Sequence, residues 1–142
     1  MKKYQGPATI ILRFALATGF LSAVASRLSL WGSHSSGWVS FLDYTKSVNS
    51  FAPASLVPVL ALVSTILETT FGILLLIGYK TRWAALGTSV LTLFFALSMA
   101  YSFGLKEPLD YSVFAFSASA FLLSTMSDFP FSIDQQIKKI PG

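Results

Sequence analysis

Between Lys46 and Lys80 the chain carries one charge, Glu68, set in an otherwise uncharged and mostly apolar stretch. No other feature constrains the fold as much. An apolar run of about 20 residues is long enough to cross a bilayer as a helix. A carboxyl near its middle costs on the order of 3 kcal/mol to insert, so it is expected to face a bundle interior with a partner or a proton. Three more runs of this kind are bounded by charges or turn residues, and the expected spans are 7–26, 56–77, 83–103 and 109–127. Only 11% of the 142 residues are charged, against roughly 25% in a soluble domain. That is too few to cover a water-facing surface. The expectation is an all-α membrane protein: one four-helix transmembrane bundle over residues 1–142, with the lipid bilayer as its solvent.

The first run has a competing reading. Ala23-Val24-Ala25 fits a signal-peptide cleavage site, but Arg13 would break the apolar core and the run is long enough to span. Small residues recur at helical spacing in each span: Ala15, Gly19, Ser22 and Ser26; Ala61, Thr65, Glu68 and Gly72; Ala85, Ser89, Thr92, Ala96 and Ala100; Ser112, Ala115, Ser119 and Leu123. Such stripes are expected to face neighbouring helices. Two short interfacial helices are predicted. One covers 38–48, where Trp38, Phe41, Leu42, Thr45 and Val48 share a face, and the other 133–140, where Ile133, Ile137 and Ile140 do. Ser132 with Gln135 makes a capping-box pattern ahead of the second. Gly78 is the expected stop of the second span, and Pro108 and Asp110 are expected in the first turn of the fourth.

Charge sets the expected orientation. Lys2, Lys3, Lys80, Arg82, Lys138 and Lys139 fall at one end of the spans, and Arg27, Lys46 and Lys106 at the other, beside Asp43, Glu107 and Asp110. The positive-inside rule then predicts a multi-pass protein of the bacterial cytoplasmic membrane with both termini cytoplasmic. The same placement explains the net charge of +4 without nucleic acid. There are no cysteines and one histidine, His34. That excludes disulfides, a dithiol pair, thiolate metal sites and a haem held by two histidines of this chain. His34 reads as a solvated loop residue.

The residues left for chemistry are few, and none is read as catalytic or metal-ligating. Glu68 is the candidate proton-handling or ligand-binding group, expected at mid-depth and mostly protonated at neutral pH. Thr65, Thr18, Ser22, Thr92 and Ser119 are candidates to surround it, the last four at comparable depth as hydrogen-bond partners. Arg13 is expected to reach back toward the cytoplasm; an ion pair with Glu68 or an anchor for an anionic or carbonyl group is the alternative. Arg27 and Trp31 are read as interface anchors that would also suit a pocket rim.

Several of these residues together resemble the DoxX family of small membrane proteins, from about Ile11 to Leu123. The likeness rests on Arg13 early in the first span, on Glu68-x-x-x-Gly72-Ile-Leu-Leu-Leu-Ile-Gly78, on the basic turn and Ala84-Ala85 after it, and on Lys106-Glu107-Pro108-Leu109-Asp110-Tyr111-Ser112. The resemblance implies a four-helix membrane bundle acting as an accessory subunit of a quinone-linked redox system. Its partner would be a redox protein or a second copy of the chain. A bound quinone or other apolar ligand would sit in an intrabundle pocket near Glu68. Without cysteine or a second histidine, electrons would have to travel on a ligand or partner, so activity of the isolated chain is not expected. A small proton-coupled transporter or channel-like protein is the alternative, as is a scaffold or assembly factor without a small ligand.

Overall fold

Residues 2–139 are described by a computed structural model, Lys2 and Lys3 by their backbone alone. Helix α1 (Lys2–Arg27) is followed by a loop with a 3-10 turn at Gly32–His34, then α2 (Gly37–Val48). A second 3-10 turn, Ala54–Leu56, leads into α3 (Val57–Ile77), and α4 (Thr81–Phe103) follows a three-residue turn. The short α5 (Lys106–Asp110), α6 (Val113–Ser124) and α7 (Ile133–Lys139) complete the chain. The described residues contain no strand. Three segments are long and apolar enough to cross a membrane: Tyr4–Arg27, Ala54–Ile77 and Thr81–Phe103.

The fourth predicted span differs. The continuous helix there has 12 residues, about 18 Å at 1.5 Å per residue, short of a hydrocarbon core of about 30 Å. The chain breaks at Ser112, whose φ is +55°, so Pro108 and Asp110 belong to α5. Asp110 pairs with Lys106 one turn back and does not cap the span.

The three long helices and α6 close a ring, α1 on α3, α3 on α4, α4 on α6, and α6 back on α1. Two of the four small stripes face inward as predicted. On α3, Ala61, Thr65, Glu68 and Gly72 are buried, and Gly72 lets Leu21 and the Ala17 carbonyl approach so closely that a Cβ would stand 2.9 Å from Leu21 Cγ. On α4, Ala85, Ser89, Thr92 and Ala96 are buried, and Ser89 meets Ser117 of α6 through hydroxyl and carbonyl contacts. The other two stripes do not. On α1, Ala15, Gly19 and Ser22 are exposed while Leu16, Phe20 and Val24 turn inward with Arg13 and Ala17, although Gly19 still makes room for Phe116 of α6, whose Cε2 would lie 2.9 Å from a Cβ there. On α6 the buried positions are Ser117, Ala120, Leu123 and Ser124, while Ser112 and Ala115 are exposed.

At the end of the bundle that holds the start of α1, the C-terminal segment folds back as a hook. Arg13 is fully buried and donates to the Pro130 and Phe131 carbonyls at 3.0 and 2.6 Å. It does not snorkel, and it makes no pair with Glu68. Asp134 accepts from the backbone N–H groups of Lys80 and Thr81, each at 2.8 Å, and so caps α4 from another helix. Gly78 ends α3 at φ +71°, where a Cβ would lie 2.3 Å from Ser132 Cβ. The predicted capping box forms: Ser132 Oγ accepts from Gln135 N, and Gln135 Oε1 accepts from Phe131 N, one residue earlier than in the standard motif. Both short helices form as well, though Ile140, the last position of the second apolar stripe, lies outside the described residues.

Candidate functional site

At the other end, α2 lies across the bundle. Its apolar face is turned onto the protein: Thr45 and Val48 are buried and Trp38, Phe41 and Leu42 partly so, whereas Val39 is exposed. The predicted amphipathic helix is there, with the face assigned to the lipid interface packed against α3, α4 and α1. Its C-terminal end is tied to α4, where Ser102 donates to the Val48 carbonyl at 2.6 Å and pairs with Ser50.

Beneath α2 is a cavity of about 630 Å³, within the 300–1,000 Å³ typical of small-molecule sites. Each helix presents residues three and four apart. Phe41, Tyr44, Thr45 and Val48 come from α2, Leu60, Val63, Ser64, Leu67 and Glu68 from α3, and Leu91, Phe94, Phe95, Ser98 and Met99 from α4. Tyr111 and Val113, at the α5–α6 break, close one side. The lining is chiefly apolar, and Val63 and Phe94 remain exposed, so the cavity opens sideways between helices. Burial pushes the Tyr44 phenol up, with Tyr111 and Glu107 adding in the same direction. It therefore stays a neutral hydrogen-bond donor across the physiological range.

Arg27 and Glu68 form the polar wall. Glu68 is the twelfth residue of the 21-residue α3 and is 1% exposed, so it stands near the middle of its helix and faces inward. Its partner is Arg27, the last residue of α1. Arg27 Nη2 donates to Glu68 Oε1 at 3.0 Å and stands 2.9 Å from Oε2 without a well-aligned hydrogen bond to it. Nη1 donates to the Thr65 hydroxyl at 3.3 Å, and the guanidinium carbon lies 3.8 Å from the centre of the Phe41 ring. A permanent cation is thus held by a carboxylate, a hydroxyl and an aromatic face, and it borders the cavity.

Of the other predicted neighbours of Glu68, Thr65 alone belongs to this group. Thr18 and Thr92 spend their hydroxyls on carbonyls of their own helices, Phe14 and Thr88 respectively. Thr18 and Ser22 sit on the outer face of α1, and Ser119 is turned off the buried face of α6. Among the described residues no hydroxyl of another helix reaches the acid, and Arg27 is its partner instead. Arg13 is at the opposite end, in the hook. Trp31 is not on the cavity; its indole donates to the Ser22 carbonyl at 3.2 Å. His34 is exposed.

The Arg27–Glu68 pair follows from helix geometry once α1 and α3 are packed side by side. Side chains lean toward the N-terminus of their helix. On antiparallel α1 and α3, that lean carries Arg27 down into the bundle and Glu68 up toward the same end. The same rule separates Arg13 from Glu68.

The sequence pattern of the DoxX family matches residues 8–101. The chain belongs to the DoxX family. The match spans α1 to α4 and so takes in Arg27, Glu68 and the cavity walls they share. It stops before α5, leaving the Lys106–Ser112 stretch outside it. No curated protein and no solved structure matches the chain.

Proposed function

We propose that this DoxX protein binds an apolar, carbonyl-bearing ligand of the quinone class and serves as an accessory membrane subunit of a redox system. The observation behind this reading is the cavity itself: apolar, open sideways, with one cation on its wall. A quinone needs a pocket for a ring, a route for an isoprenoid tail into lipid, and donors for its carbonyl oxygens. Phe95 offers a ring face, the lateral opening offers the tail its route, and the Arg27 fork has N–H groups beyond those given to Glu68 and Thr65. Glu68 and Thr65 hold that fork in place, as a preorganised site requires.

Protein extracted in mild detergent and partitioned into organic solvent should release a quinone in a constant ratio to protein. Titration with a short-tailed quinone should then saturate, and Arg27→Gln should weaken binding about tenfold or more, the scale of one charge-assisted hydrogen bond. A preparation that holds only a protein partner, and does not bind added quinone, would favour the scaffold reading.

A further inference from the structure

A second concavity lies at the hook end of the bundle, bordered by Lys80, Arg82, Trp83, Phe129, Ile137 and Lys138 among others, with a volume of about 360 Å³. Three of its residues are cations from two separate elements, the start of α4 and α7. Its one carboxylate, Asp134, has both oxygens engaged by the Lys80 and Thr81 amides. Three cations against that one carboxylate leave the groove with an excess of positive charge. Arg82 and Lys138 hold only long contacts to the Met126 and Ser127 carbonyls, at 3.4 and 3.3 Å, and Lys138 stands 3.9 Å from the exposed Asp128. Both heads are available to a stronger anion.

We infer that this groove binds the phosphate of an anionic phospholipid in the adjoining leaflet. Two observations select a lipid over a free anion. Trp83 is 70% exposed and Ile137 53% exposed on the rim, an apolar edge that suits glycerol and the upper acyl chain. The groove also sits where α3 ends and α4 begins, at a membrane–water boundary for any arrangement in which these two helices span. Basic pockets at such a boundary take phospholipid head groups through a few cations close together. The hook is thereby joined to lipid, since Lys138 belongs to the element that Arg13 and Asp134 hold to the bundle.

The test uses full-length protein in nanodiscs of equal phosphatidylglycerol and phosphatidylcholine, followed by native mass spectrometry of the lipid retained. Wild type should keep phosphatidylglycerol preferentially. Arg82→Gln/Lys138→Gln should reduce that preference roughly 25-fold, since each cation near a bilayer surface is worth about a fivefold change. Arg82→Lys/Lys138→Arg should preserve it, and so should Lys46→Gln/Lys106→Gln at the opposite end. Equal retention of the two lipids by wild type, or equal loss in both neutralised pairs, would overturn the assignment. Inorganic phosphate that abolished the preference would assign the groove to a free anion instead. Circular dichroism and monodispersity check that the variants are folded before any loss is scored.

Discussion

Removing Glu68 alone leaves the Arg27 guanidinium beside Thr65 and Phe41 without its counter-charge. Arg27 and Glu68 have side-chain exposures of 12% and 2%, so water compensates little. Glu68→Leu or Arg27→Met alone should each lower stability by about 3–5 kcal/mol, and the double variant should recover much of that loss. Thermal or denaturant unfolding in detergent measures the cycle; simple additivity would mean the two side chains are not coupled. Glu68→Gln keeps an acceptor for Nη2 and loses the charge, so it should fall between wild type and Glu68→Leu. Had the acid been held by hydroxyls, the amide would have been nearly neutral. The comparison therefore tests the partner as well as the residue.

At the scale of elements, the hook and α2 are clamped by different means. α2 is held by the buried face that ends at Val48 and by the Ser50–Ser102 contact. The hook depends on two polar anchors, Arg13 on two carbonyls and Asp134 on the first amides of α4, and on the close packing of Ser132 against Gly78. Asp134→Ala should cost about 1–2 kcal/mol and Asp134→Asn much less, since an amide oxygen also caps a helix. Gly78→Ala should be at least as damaging, about 1–3 kcal/mol, because it adds a steric clash to an unfavourable φ. Both Asp134→Ala and Gly78→Ala should raise hydrogen exchange at the Lys80 and Thr81 amides and proteolysis between Met126 and Lys139, leaving the cavity at the other end unchanged. Loss of quinone binding in either variant would show that the two ends are not independent.

For the whole molecule, the clustering of charge puts Lys80 and Lys138 at one end and Lys46 and Lys106 at the other. Reporter fusions after Lys80 and Lys139 should report the cytoplasmic side and one after Lys46 the opposite side. The short α6 makes the fourth crossing the one to test directly. The chain has no cysteine, so Ser112→Cys and Thr125→Cys can each be labelled alone with an impermeant maleimide. Labelling from opposite sides would establish a crossing by α6 despite its 12 residues. Labelling from one side would contradict the packing of the hook on Arg13 and the Lys80 turn, which sets the two ends of α6 at opposite ends of the bundle.

Sequence alone determined the class of molecule, the three long spans, the stop at Gly78, the inward face of α3 with Glu68 at its middle, and both short helices. These follow from hydropathy, periodicity and capping, which act within a few residues along the chain. It also pointed to the DoxX family, where the match covers α1 to α4. Only the tertiary structure decided what touches what. Arg13 and Arg27 lie on the same helix; from sequence, Arg13 is expected to reach back toward the cytoplasm, with a pair to Glu68 as the alternative, and Arg27 to be an interface anchor or pocket rim. The return of the C-terminal segment buried Arg13 in a structural clamp, and antiparallel packing brought Arg27 to the acid. The outward turn of the small stripe on α1, the roofing of the cavity by α2 and the break at Ser112 have the same origin. Each depends on which of several sterically allowed faces a neighbouring helix fills, and that choice is made by the summed volumes of side chains far apart in the chain.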